Sequence, residues 1–174
     1  IVSRIKPQFR TAYNLIDMLR SSIVDGIVAI GAMTVLISGG IDISFPVIGA
    51  FSMYTTTILF QAIGYEGNVI LPMLTAALMG IGLGALNALF IHVFKIPTFI
   101  ATLGTSNIIS GLLLTFIGSK AIMNLPKGFT AFSKSSLLTV PAQVGKSSLP
   151  AAFLLLIAVA VTAWFILNHT MLGR

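Results

Sequence analysis

Five apolar stretches, each approaching the thickness of a bilayer, run along the chain from Ser21 to Ile37, Phe45 to Ile63, Val69 to Phe94, Thr98 to Gly118 and Leu149 to Leu167. They show none of the period-two alternation of a barrel strand, and lipid offers a backbone no hydrogen-bond partners, so each predicts a helix. Pro97 and Pro150 stand near helix starts, where a missing N–H goes unnoticed, and Ser44 is placed to cap the second span ahead of Phe45-Pro46. Ser119 to Ser148 breaks the pattern with Lys120, Lys127, Lys134 and Lys146, two prolines, many serines and no acid. This predicts a long extramembrane loop, functional or partly folded by Phe129, Phe132, Leu137 and Leu138. The expectation is an all-α integral membrane protein of about five transmembrane helices in a bundle, a single transmembrane domain over residues 1–174.

Composition sharpens that picture. Of 174 residues, 56% are apolar and only 8% charged, far below the quarter usual in a soluble domain. From Ser21 to Ser119 the charged residues are Asp25, Asp42, Glu66 and Lys95. The net charge of +6 comes from scattered cations that form no patch, which argues against nucleic acid. The absence of cysteine and the wide separation of His92 and His169 leave no metal or cofactor motif. Gly145-Lys146-Ser147 imitates the end of a phosphate-binding loop, but Val140 stands where its first glycine belongs.

Polar residues inside the apolar runs are the candidate working parts. The stretch Ser38-Gly39-Gly40-Ile41-Asp42-Ile43-Ser44 places two glycines and an acid between two spans, where a charge at depth costs roughly 2.5–3.5 kcal/mol. Gly39-Gly40 can break the helix and free backbone groups beside Asp42, as in transporter binding sites; a turn capped by Asp42 and Ser44 is the other reading. Asp25 and Asp42 would lie roughly 25 Å apart along a continuous helix, too far for a catalytic dyad. Thr98, Thr102, Thr105 and Ser106 recur at spacings of three and four, a hydroxyl stripe that suits either a polyol or a neighbouring helix. Asn87 and Asn107 carry the same two readings. Gly80, Gly84 and Ala88 share a face suited to close helix packing, and Tyr54, Tyr65 and Trp164 read as interface anchors.

Three segments together, Ser-Gly-Gly-Ile-Asp-Ile-Ser at 38–44, Ile-Pro-Thr-Phe-Ile-Ala-Thr-Leu-Gly-Thr at 96–105 and His-Thr-Met-Leu-Gly-Arg at 169–174, resemble the ribose-type sugar permeases of bacterial ABC importers. The likeness runs from about Phe9 to Arg174 and covers about helices two to six of such a permease. It implies a non-enzymatic, multi-pass subunit of the bacterial cytoplasmic membrane that moves a monosaccharide or similar small polar solute. Its implied partners are a second permease copy, cytoplasmic ATPase subunits and an extracytoplasmic sugar-binding protein. Asp42, Ser44, Asn87, Phe99, Thr102 and Thr105 are then candidate path residues, with no catalytic residue, cofactor or metal. A permease for branched-chain amino acids or nucleosides, a channel and a helical scaffold are the alternatives. Phe45-Pro46-Val47 departs from the Val-Gly-Ser usual in the family and stiffens the entry to the second span.

The resemblance places the loop at 119–148 outside the cell, whereas the positive-inside tally, with Arg4, Lys6, Arg10, Arg20 and the loop lysines on that same side, opposes it. The family orientation predicts that Ser135→Cys in intact cells reacts with an impermeant thiol reagent; protection would reverse the topology.

Overall fold

The computed structural model describes residues 11–118, 122–123, 125–141 and 146–170. Its elements in order are α1 (Ala12–Ile37), α2 (Phe45–Ala62), α3 (Ile70–Phe94), α4 (Thr98–Leu112), α5 (Lys127–Lys134), β1 (Ser136–Pro141), β2 (Lys146–Pro150) and α6 (Ala152–His169), with a π-helical turn over Leu113–Ile117 extending α4. Four of these helices, α1, α3, α4 with its π turn, and α6, are long and apolar enough to cross a membrane. The expected fifth, α2, forms as a helix but is not among those four. The physical reason lies in its sequence, where Ser52, Tyr54, Thr55, Thr56, Thr57 and Gln61 dilute the apolar run.

Where these helices start and stop also differs from the expected spans. At 26 residues α1 is about 39 Å long, longer than the hydrocarbon layer, so it accommodates Asp17 and Arg20 in turns ahead of the apolar run. Gly39, at φ +80°, turns the chain out of α1, and residues 40–44 are non-helical, as the two glycines predict. Pro97 does stand at a helix start: its carbonyl accepts from the N–H groups of Ile100 and Ala101. Pro150 also stands near a helix start, two residues ahead of α6, where it closes β2. The stretch expected as a loop carries α5 and an antiparallel ribbon, Ser136 pairing with Pro150 and Pro141 with Lys146, with an irregularity between Ser136 and Leu138.

The chain divides into two compact units, one of residues 32–130 and one of residues up to Gly31 together with those from Ala131 onward. In the second unit α1 passes α6 at Gly26, where an added Cβ would lie 2.9 Å from Leu156 Cδ1. The ribbon is joined to α6 through the Ala151 N–H donating to the Ser135 carbonyl at 3.1 Å. In the first unit α2, α3 and α4 pack on one another around Ile48, Phe60, Ala101 and Ile109.

The distribution of apolar surface is inverted relative to a soluble protein. None of the most apolar window of α6 is buried, and only 6% of that of α3, while the buried set of the first unit includes Ser44, Ser52, Thr56, Thr57, Asn87 and Thr102. Leucines outside and hydroxyls inside is the arrangement that a hydrocarbon solvent selects, because lipid removes the hydrophobic drive between helices and leaves packing and polar contacts to join them. The protein is a multi-pass membrane protein.

Candidate functional site

The site is built where the chain leaves helical geometry between α1 and α2. Non-helical backbone at membrane depth needs protein partners, and α4 supplies them. Thr102, 1% exposed, accepts a hydrogen bond from the Ile43 N–H at 3.4 Å, and its hydroxyl proton is shared between the carbonyls of Ile41 and Phe99, each at 3.3 Å. Gly40 sits against Thr98 so closely that an added Cβ would lie 3.1 Å from Thr98 Cγ2. Two segments some sixty positions apart in the chain are thus joined side chain to backbone.

A second set of contacts fixes the start of α2. The Ser44 N–H and the Ser44 hydroxyl both donate to Asp42 Oδ1 at 2.6 Å. Ser44 occupies the N-cap of α2, but its side chain makes no capping bond, contrary to the sequence expectation. Its hydroxyl donates to Asp42 instead, and the oxygen that would cap α2 accepts from Asn87. Ser44 Oγ in turn accepts from Asn87 Nδ2 at 2.8 Å, and Asn87 Oδ1 accepts from the Thr105 hydroxyl. Thr105 thus donates to Asn87, Asn87 to Ser44 and Ser44 to Asp42, a one-way chain in which each bond polarises the next. Asn87 and Ser44, at 4% and 0% exposed, form its buried middle, and half-buried Asp42 is its open end.

The structure gathers Asp42, Ser44, Asn87, Thr102 and Thr105 of the predicted path residues into this cluster. Phe99 contributes only its carbonyl; its side chain is exposed. Asn107, which the sequence left level with Asn87, is exposed, as is Asp25. Of the small-residue stripe, Gly80 faces Ser52, an added Cβ lying 3.9 Å from Ser52 Oγ, whereas Gly84 and Ala88 are exposed. Sequence reasoning missed the buried polar face of α2, where Thr57 donates to the Met53 carbonyl at 2.7 Å and Thr56 to Met79 Sδ at 3.7 Å. The run Thr55-Thr56-Thr57 inside an apolar stretch was its available signal.

Residues 14–174 match the family described as branched-chain amino acid transport system / permease component. The chain belongs to this family. Among curated relatives, ribose import permease protein RbsC of Escherichia coli (strain K12) is 27% identical over 175 residues, covering 100% of this chain and 52% of the relative. RbsC of Bacillus subtilis (strain 168) is 30% identical over 176 residues, covering 100% and 51%. The autoinducer 2 import system permease protein LsrC of Yersinia enterocolitica is 28% identical over 148 residues, covering 85% and 38%. The chain spans about half the length of the RbsC relatives it matches. No solved structure matches it. Within this permease family, the hydrogen-bonded cluster at 38–44, Asn87 and 102–105 is the candidate functional site of the chain.

Asn87 bonds at once to the entry of α2 and to α4. Asn87→Ala removes one bond from each of two hydroxyls, which keep Asp42 and the Ala101 carbonyl, and is expected to destabilise the full-length permease by about 1–2 kcal/mol, with Asn87→Gln intermediate, checked by thermal unfolding in detergent. An unchanged melting temperature would remove the cluster's structural role.

Proposed function

We propose that the chain is part of the membrane-spanning permease subunit of an ABC importer in the bacterial cytoplasmic membrane, moving a monosaccharide or similar small polar solute. The observation that carries this reading is the joint between the 38–44 and 96–105 segments. The two stretches that most resemble sugar permeases meet through Thr102 and the Ile41 and Ile43 backbone, in a chain whose relatives include proteins named as ribose and autoinducer 2 import permeases. The transmembrane part performs no bond chemistry. ATPase subunits in the cytoplasm, a second permease copy and an extracytoplasmic sugar-binding protein are the partners this reading requires.

Under this proposal the path residues have different tasks, which burial and hydrogen bonding support. Ser44, Asn87 and Thr102 are buried and hydrogen-bonded to protein, so they are positioning residues that let the broken segment, α3 and the first turns of α4 move as one block. Asp42 and Thr105 are half-buried and Phe99 is exposed. In this reading these three meet the solute as the path opens alternately to either side. The Asp42 carboxylate, with Oδ1 occupied by Ser44, has Oδ2 to offer a sugar hydroxyl. The family description names branched-chain amino acid transport, which supports a second reading in which the solute is a small apolar amino acid.

Uptake into cells carrying the full-length permease and its partners separates these readings. Labelled D-ribose or D-galactose is expected to accumulate, with competition by other aldoses and none by L-leucine. Asp42→Asn is expected to lower the maximal rate at least about tenfold at normal membrane abundance, equivalent to roughly 1.4 kcal/mol or more on the barrier. Uptake of L-leucine in place of sugar would select the second reading.

A further inference from the structure

A cavity of about 470 Å³ lies within the first unit at the end of α2 remote from the 38–44 segment, where the turn after α2 meets the segment leading into α5. An α2 of 18 residues separates the two places by about 27 Å along the helix. The volume falls within the roughly 300–1,000 Å³ range of small-molecule sites. Phe60, Gln61, Tyr65, Glu66, Met123 and Lys127 line it.

Its walls are held in place by several separate contacts. Phe60, 3% exposed, supports Tyr65 edge-on, with ring centroids 4.9 Å apart at 75°. The Tyr65 ring lies down on Gly67, where any Cβ would collide with Cζ and the phenol oxygen. Gln61 Nε2 donates to the Met123 carbonyl at 2.7 Å and ties the two walls together. Gly128 packs on the backbone of the same turn, an added Cβ lying 2.5 Å from the Gly67 carbonyl oxygen. Tyr65 was expected to be an interface anchor; here it forms part of a cavity wall.

Glu66 and Lys127 complete the cavity's polar side, with Lys127 Nζ 2.7 Å from Glu66 Oε1 and side chains 74% and 66% exposed. So exposed an ion pair adds little to stability. Its chemistry is more telling: a carboxylate acceptor and an ammonium donor side by side match adjacent hydroxyls of a vicinal diol, one donating and one accepting. The Tyr65 ring lines the same space, and an aromatic face is the usual partner for the C–H side of a sugar ring.

We infer that this cavity is a separate subsite for a neutral polyhydroxylated ring, an aldose, at the far end of α2 from the 38–44 cluster, with Tyr65 as the platform and Glu66 and Lys127 as the diol clamp. The inference rests on the sugar-permease reading. A subsite there would hold solute at one mouth of the path before or after it passes the hydrogen-bonded cluster.

Titration of D-ribose and D-galactose onto the purified full-length permease in lipid nanodiscs, read by saturation-transfer NMR, tests it. Tyr65→Ala and Glu66→Gln are each expected to weaken binding at least about tenfold, and Tyr65→Phe to bind as wild type. Glu66 is surface-exposed, so Glu66→Gln guards against misfolding of Tyr65→Ala. Equal affinity in wild type, Tyr65→Ala and Glu66→Gln, or no binding by wild type, overturns the subsite. Uptake by wild-type cells then reads the parent proposal independently: sugar uptake with no subsite leaves it standing, and no sugar uptake removes both.

Discussion

Backbone that leaves helical geometry inside a membrane must find its hydrogen bonds in protein, and the rest of the first unit follows from how this chain meets that requirement. Gly39 turns the chain, and residues 41–43 carry N–H and C=O groups that lie outside the ladders of α1 and α2. A Thr102 hydroxyl, able to donate and accept at once, serves the Ile41 carbonyl and the Ile43 N–H from a neighbouring helix. The choice of threonine is chemically specific. Valine has the same shape and no hydrogen-bonding group, so it would leave both backbone groups without this partner.

The same constraint explains why the buried residues are polar. In lipid, leucine on α3 or α6 gains nothing by turning inward, so the interfaces are left to small and hydroxyl-bearing side chains. The one-way chain from Thr105 through Asn87 and Ser44 to Asp42 links α4, α3 and the entry to α2 and ends on a half-buried carboxylate. A buried network of this kind specifies one arrangement strongly, since each partly satisfied alternative leaves a polar group stranded. Rigidity at the buried end and exposure at the acid end suit the proposed role, a part that moves as a block and meets a solute.

Helix existence was legible in the sequence because apolar runs of bilayer length have few other physical solutions. Helix ends were not: α1 begins at Ala12 because Asp17 and Arg20 are tolerated where the helix outruns the hydrocarbon. The ribbon between Ser136 and Pro150 carries no strong period and pairs through its backbone, so its lysines and serines read as loop. Within the site, residue types were legible and their pairing was not. An acid beside two glycines and a threonine stripe each announce polar work, but nothing local says that Ile43 and Thr102 meet. Asn87 and Asn107 look alike in sequence and differ only because one faces α2 and α4 while the other faces outward.

The claim on which all of this depends is that the 38–44 segment is fastened to the first turn of α4. A cysteine pair tests it directly, since residues 1–174 hold no cysteine and any elsewhere in the full-length permease is first replaced by serine. With an added Cβ at Gly40 3.1 Å from Thr98 Cγ2, Gly40→Cys and Thr98→Cys together fall within disulfide reach. Mild oxidation of the full-length permease in membranes, followed by denaturation and maleimide-polyethylene glycol labelling, is predicted to leave both thiols protected until reductant is added. Two thiols that remain fully labelled after oxidation would contradict the account.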